Sequence, residues 1–230
     1  MKRLFAVMVV LVMVSAAVYS AGPFFGAKLG VGIGFHGNGK YIDDSIDEAK
    51  AEVQSYGISL SVDEKSGASF VLSPYGGYYF TDKLAVQGEF NFMFGQKKTW
   101  EITIPGYSTE EIEGKYSSLD IPLLIRFDFI TKPALFGALA GPYLSIPLGD
   151  IELSSDRYSI DLDSDGVTDG IAVGLYGGFP IGPGRIIGDV RFIIDFNPVK
   201  VKESGETLEV LKRRGINITA GYEILLGGKK

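Results

Sequence analysis

Along most of the chain, apolar residues alternate with polar or small ones at a period of two, the pattern of strands with two differently solvated faces. In the first segment Phe25, Ala27, Leu29, Val31, Ile33 and Phe35 share one face, and Gly26, Lys28, Gly30, Gly32, Gly34 and His36 the other. A second sets Phe70, Leu72, Pro74, Gly76, Tyr78 and Phe80 against Ser69, Val71, Ser73, Tyr75 and Gly77. A third sets Leu84, Val86, Phe90, Phe92 and Phe94 against Gln87, Glu89, Asn91 and Gly95. In the fourth, Leu119, Ile121, Leu123, Ile125, Phe127 and Phe129 oppose Ser118, Asp120, Arg126 and Asp128. The fifth (134–148) and sixth (170–181) are more apolar and glycine-rich, and the pattern leaves their faces open. The seventh places Ile186, Val190, Phe192, Ile194 and Phe196 opposite Asp189, Arg191 and Asp195. The eighth places Ile216, Ile218, Ala220, Tyr222, Ile224 and Leu226 opposite Asn217, Thr219, Gly221 and Glu223.

The connections choose the architecture. Thr81-Asp82-Lys83, Thr131-Lys132-Pro133 and Gly182-Pro183-Gly184 are short, whereas 37–67, 97–115, 149–169 and 197–214 are long. Short turns alternating with long loops, between an even number of strands, are the arrangement of an outer-membrane barrel. A soluble barrel would keep most hairpins short and its apolar face inside. Strands of 12–14 residues, rising about 3.3 Å each and tilted near 40°, span roughly 30 Å of hydrocarbon. The charged residues all lie opposite the aliphatic and aromatic rows, and a charge on the lipid face costs about 2–4 kcal/mol at the midplane. The expectation is an all-β, eight-stranded antiparallel transmembrane up-and-down barrel, greasy outside and ionic inside. Phe24, Tyr78, Tyr79, Trp100, Tyr116, Phe129, Phe136, Tyr143 and Tyr222, near segment ends, are expected to form interfacial girdles.

Residues 1–20 follow a different pattern. Lys2 and Arg3 precede an apolar run from Leu4 to Val14, too short to cross a bilayer, and then a small-residue stretch ending at Ser20. This reads as a secretory signal peptide cleaved after Ser20, with Ala17 as the alternative site, and leaves 21–230 as the barrel domain. The chain has no cysteine, one histidine and a net charge of −6. Disulfide frameworks, thiol nucleophiles and a cysteine lipid anchor are thereby excluded, and the acidic balance argues against nucleic-acid binding. His36 has no flanking serine motif, so no catalytic constellation is expected.

The run Leu119-Asp120-Ile121-Pro122-Leu123-Leu124-Ile125-Arg126 resembles the fourth-strand motif of the PorT-like outer-membrane β-barrel group. Gly141-Pro142-Tyr143-Leu144, Asp169-Gly170 leading into Val173-Gly174, and Asp189-Val190-Arg191-Phe192 resemble its later strands. The resemblance implies a small barrel folded like OmpA and OmpX, in the bacterial outer membrane, and implies little about activity. The family ends on an aromatic residue; here the last strand ends on Ile224 and Leu226 before Gly227-Gly228-Lys229-Lys230. Insertion by the outer-membrane machinery is the expectation all the same.

Eight strands leave an interior that side chains fill. Lys28, Arg126 and Arg191, set among Glu89, Asp120, Asp128, Asp189 and Asp195, are expected to form a buried ionic network; the alternative is a narrow ion path in a porin-like channel. Gly30, Gly32 and Gly34 would thin one side of the lumen to admit bulky neighbours. In the third long loop, Asp161, Asp163, Asp165 and Asp169 stand at positions 1, 3, 5 and 9 of a calcium-type loop, with Gly166 at position 6; the usual bidentate glutamate at 12 is replaced by Ala172. The bland alternative is a solvated acidic tip. Ser45-Ile46-Asp47-Glu48 resembles a capping box, with Ile46, Ala49, Val53 and Tyr56 at helical spacing, so 45–56 reads as a short helix or a disordered acidic loop. The first and third loops are acidic, while the last carries Lys200, Lys202, Lys212, Arg213 and Arg214. Loops of opposite sign can bind one another, cations or lipid headgroups. The expected role is structural or surface interaction through these loops, toward an extracellular ligand or partner, rather than catalysis.

Overall fold

The computed structural model describes residues 22–34, 37–38, 40–106, 108–162, 164–203 and 206–226. The expected signal peptide and its cleavage site, and His36, lie outside the described residues. In chain order the elements are β1 (Gly22–Gly34), β2 (Gly37–Asn38), α1 (Lys40–Ser55), β3 (Ser61–Ser66), β4 (Ala68–Tyr79), β5 (Leu84–Glu89), β6 (Asn91–Ile104), β7 (Ser108–Ile130) and β8 (Leu135–Pro147). They continue with β9 (Ile151–Ser155), β10 (Ser159–Leu162), β11 (Ser164–Asp165), β12 (Thr168–Ile181), β13 (Gly184–Asp195), β14 (Val199–Glu203), β15 (Glu206–Lys212) and β16 (Arg214–Leu225).

Eight wall strands close into a ring in sequence order, all neighbours antiparallel: β1, β4, β5 continued by the start of β6, the second half of β7, β8, β12, β13 and β16, which pairs back with β1. The closing seam is continuous, from Phe24 opposite Leu225 to Gly34 opposite Gly215. Closure leaves the wall with no open edge, the condition for backbone to sit in hydrocarbon. Among the described residues no helix is long and apolar enough to cross a membrane.

The alternation works out as the pattern predicts. Leu29, Leu123, Val173 and Phe192 face outward with a broad band of other large apolar side chains, and Leu123 is 58% exposed. Lys28, Asp120, Arg126, Asp128 and Arg191 point inward and are buried, Arg126 to 1%. The two segments whose faces the sequence leaves open resolve by parity: Leu139, Tyr143 and Ser145 on β8, and Ala172 and Tyr176 on β12, face the lumen. The expected girdles need correction. Tyr78, Phe129, Phe136 and Tyr222 face outward, but Phe24, Tyr79, Trp100, Tyr116 and Tyr143 are buried inside. Nearness to a strand end sets a residue's height, whereas odd or even position sets its face, and these five fall on the inward parity.

Inward glycines admit the large inward side chains. A Cβ at Gly26, Gly137 or Gly170 would sit 2.7 Å from the ring of Tyr75, Tyr176 or Tyr143. At Gly32 it would meet Ser69, Asn217 and Met93, as a lumen-thinning glycine should, while at Gly30 it would strike the backbone of the neighbouring strand at Ile218. Gly95 has φ +69° at an irregularity in the β6–β7 register, where the alternation of β6 shifts so that Gln96, Lys98 and Trp100 face inward.

The long connections are not separate loops. β6 and β7 continue past the wall as one hairpin, with β3 added outside β6, and β9 then β10 outside β7. A second sheet runs β11-β14-β15-β2 and joins the third and fourth connections through Asp165 opposite Lys200. Trp100, Tyr116, Ile151, Val199, Val201 and Leu211 form a core between these layers, and Ile42 and Ile46 of α1 pack on it. The helix begins earlier than its capping box suggests, and Ala49 and Tyr56 face solvent while Ile46 and Val53 are half-buried. The acidic and basic connections thus fold onto each other as a cap over the barrel.

Candidate functional site

The lumen is crossed by ion pairs at three heights. Nearest the short turns, Arg126 Nη1 of β7 donates to Glu223 Oε2 of β16 at 2.8 Å, and Arg185 Nε donates to Glu223 Oε1 at 2.6 Å. Tyr79 and Tyr176 donate their hydroxyls to Asp128, and the Arg126 guanidinium lies 4.3 Å from the Tyr176 ring centre. At mid-height, Lys28 Nζ reaches Glu89 at 2.9 Å and Asp189 at 2.8 Å, and Arg191 Nη2 donates to Glu89 Oε1 at 2.7 Å. Gln87 links the two tiers, accepting from Arg126 at 2.6 Å and donating to Glu89. At the upper end, Arg213 pairs with Asp120 at 2.9 Å and Asp195 at 3.4 Å, Ser145 donates to Asp120, and Tyr143 donates to Asp195.

Three of these pairs span the barrel's diameter. In the ring, β5 and β13 stand four places apart, as do β7 and β16. Glu89–Arg191 crosses the first pair, Arg126–Glu223 the second, and Arg213, which leads into β16, reaches Asp120 on β7. Buried charges are tolerable only when paired and hydrogen-bonded, so each crossing holds opposite walls together. A cavity of about 10 Å³ remains beside Arg213, lined among others by Ser69, Met93, Gln96 and Asn217, which is room for about one water molecule.

All eight residues of the network expected from the sequence are in it. Arg185, Gln87, Tyr79, Tyr143 and Tyr176 join them, and inward parity within each strand was the signal for the tyrosines. Arg213 is a correction: expected among the exposed basic residues of the last connection, it is buried at 3% because the β16 alternation continues one step above the strand.

The expected calcium residues are spread over several elements. Asp163 lies outside the described residues, as do the side chains of Asp161 and Asp165. The backbone puts Asp161 in β10 opposite Glu152 and Asp165 in β11 opposite Lys200, and Gly166 has φ +88° at the sixth position. Asp169 is the second residue of β12, on its outward face, where it accepts a hydrogen bond from the Asn197 amide. Among the described residues no three acidic or histidine side chains are grouped to hold a metal.

In the cap, Lys98 is fully buried, 2.9 Å from Glu64 and 5.2 Å from the Trp100 ring centre. Burial pulls its pKa below the ordinary lysine value, against hydrogen bonding and attraction from Glu64. On the outer face of the hairpin, hydrogen bonds from Lys115 and Lys97 hold Glu113 below the usual carboxylate range.

The fold is similar to that of the outer membrane protein OprG from Pseudomonas aeruginosa, at 12% identity, with 91% of this chain and 98% of that one covered and a TM-score of 0.59. The chain is built as a small outer-membrane β-barrel. Its apolar exterior places the wall in lipid, with the short turns at one membrane surface and the cap beyond the other. Ail of Yersinia pestis (14% identity, 88% and 99% covered, TM-score 0.41) and AlkL (14%, 93% and 94%, TM-score 0.44) superpose more loosely. No family model and no curated protein matches the sequence.

Proposed function

We propose that this barrel is a surface-interaction protein: a rigid membrane anchor that displays a folded extracellular cap. The observation that carries the reading is the pairing of a lumen bolted across its diameter at three heights with a cap that has its own apolar core. Interior ion pairs of this kind favour a fixed wall over a water-filled passage. The porin-like alternative predicts stepwise conductance in planar bilayers, and the anchor reading predicts none.

The positive test is a photo-crosslinking residue at Tyr56, which is 75% exposed on the cap. Adducts with another macromolecule on intact cells are expected; none from Tyr56 or from any other exposed cap position overturns the reading. It includes export by the 1–20 leader, insertion by the outer-membrane machinery, contact with outer-membrane lipid and no catalytic step. Assignment to the PorT-like group is supported by the Asp120-Ile121-Pro122-Leu123-Leu124 and Gly141-Pro142-Tyr143 runs. The calcium reading of Asp161, Asp163 and Asp165 is kept as part of the proposal, with Asp169 committed to Asn197. Calorimetric titration tests it: heat lost in Asp163→Ala and Asp165→Ala supports it, and no heat above buffer removes it.

A further inference from the structure

The outward face of β16 begins at Ile224, which stands opposite Gly184 at a short turn, and runs up through Tyr222, Ala220, Ile218 and Ile216. The next residue on that face is Arg214, and it is exposed. At about 3.3 Å per residue and a tilt near 40°, Arg214 stands about 25 Å above Ile224, the height of the apolar band of such a wall. Lys212 follows on the same parity, half-buried and opposite Gly37 of β2. Both cations therefore sit where hydrocarbon gives way to headgroups, at the end from which the cap rises.

Their surroundings set these two apart from the outward cations of the hairpin. Lys97 and Lys115 share Glu113, and Lys65 pairs with Glu101. Arg214 stands opposite Ile194 of β13, and Phe196 is the next outward residue of that face, so β13 offers neither cation a carboxylate. On the strand beyond, Asp169 is engaged by Asn197. Among the described residues Arg214 and Lys212 make no ion pair. An arginine whose stem lies along an apolar wall carries its guanidinium to headgroup level, and its planar fork matches two phosphate oxygens. Lys212 adds a second positive charge above it. We infer that Arg214 and Lys212 form a lipid site that holds the phosphate of an anionic headgroup, with the acyl chains below it on Phe192, Ile194 and Ile216. The site depends on the lipid-exposed wall and is independent of what the cap binds.

The test is native mass spectrometry of the full barrel released from phosphatidylcholine nanodiscs that contain a small share of phosphatidic acid. Retention of phosphatidic acid well above its share of the bilayer is expected. A cation near an anionic lipid is worth about fivefold in association, so Arg214→Gln/Lys212→Gln is expected to lower retention at least tenfold. Lys97→Gln/Lys115→Gln removes the same formal charge from lysines that Glu113 already pairs, and is expected to change retention less than twofold. Folding of each variant is checked by heat-modifiable gel migration. If the first double variant does not fold, Lys212→Gln alone carries the test, with an expected loss of about fivefold. Excess glycerol phosphate is expected to leave the retained lipid in place. Equal losses in the two double variants would make the effect one of net charge and overturn the inference. So would retention in proportion to bilayer composition, or no loss on removing Arg214 and Lys212 or Lys212 alone. Displacement by glycerol phosphate would make this a site for free phosphate and overturn the lipid assignment.

Discussion

Glu89 on β5 and Arg191 on β13 meet across the full width of the barrel, Arg191 Nη2 lying 2.7 Å from Glu89 Oε1. Glu89 also receives Lys28, so a single carboxylate ties three strands together. Glu89→Gln leaves Lys28 and Arg191 to share Asp189. Removing one partner from a buried ionic group costs about 3–5 kcal/mol, mostly the penalty of the charge left behind. Urea unfolding in detergent is expected to show that loss, and Glu89→Gln/Lys28→Met to recover part of it by taking out a stranded cation. If the double variant is no more stable than the single one, the middle tier is not a coupled unit.

Arg213 does for the cap what Glu89 does for the wall. Its backbone N–H donates to Asp195 at 3.1 Å while its guanidinium reaches Asp120 on the far side. Arg213→Leu is expected to free the base of the fourth connection without opening the barrel. Heat-modifiable migration should persist, and protease cleavage of intact cells within 197–214 should rise several-fold. Loss of the heat-modifiable form instead would make Arg213 a requirement of the wall.

The wall was legible from the chain because a single rule, alternation against lipid, governs each of its strands. Asp128 and Arg191 could be placed inward from parity alone. The cap was not legible, because its strands obey two environments at once. Lys98 and Trp100 follow a shift in alternation at Gly95, so the pattern of Phe92 and Phe94 does not carry into them. Arg213 looked like one more exposed loop cation because nothing local shows that Asp120 and Asp195, far away in sequence, wait below it. Pairing of Asp165 with Lys200 is likewise a contact between connections, and sequence separation hides such contacts.

The inside-out polarity can be tested on adjacent residues. Ile125 is 57% exposed on the lipid face, whereas Leu124 is fully buried in the lumen. Ile125→Arg is expected to cost about 2–4 kcal/mol in bilayer refolding, as for other cations near the midplane of a barrel wall. Ile125→Leu should be close to neutral. A soluble sandwich would reverse this, tolerating arginine at Ile125 easily, so an unperturbed Ile125→Arg protein would remove the membrane assignment.

Lys98 makes the cap's stability depend on pH in a direction set by its burial. The chain has one tryptophan, Trp100, beside the Lys98 ammonium, so its emission reports unfolding of the cap core. Burial lowers the folded-state pKa of Lys98 below the ordinary 10.5, which means that the unfolded cap binds more protons between those two values. Stability must then rise with pH across that window and be lower below it. In urea titrations followed by Trp100 fluorescence, the wild-type midpoint is expected to rise relative to that of Lys98→Met as the pH approaches 10.5 from below. Lys98→Met keeps the apolar stem and discards the titrating group, so a difference between the two proteins that stays constant, or shrinks from the wild-type side, would contradict a buried ammonium at this position.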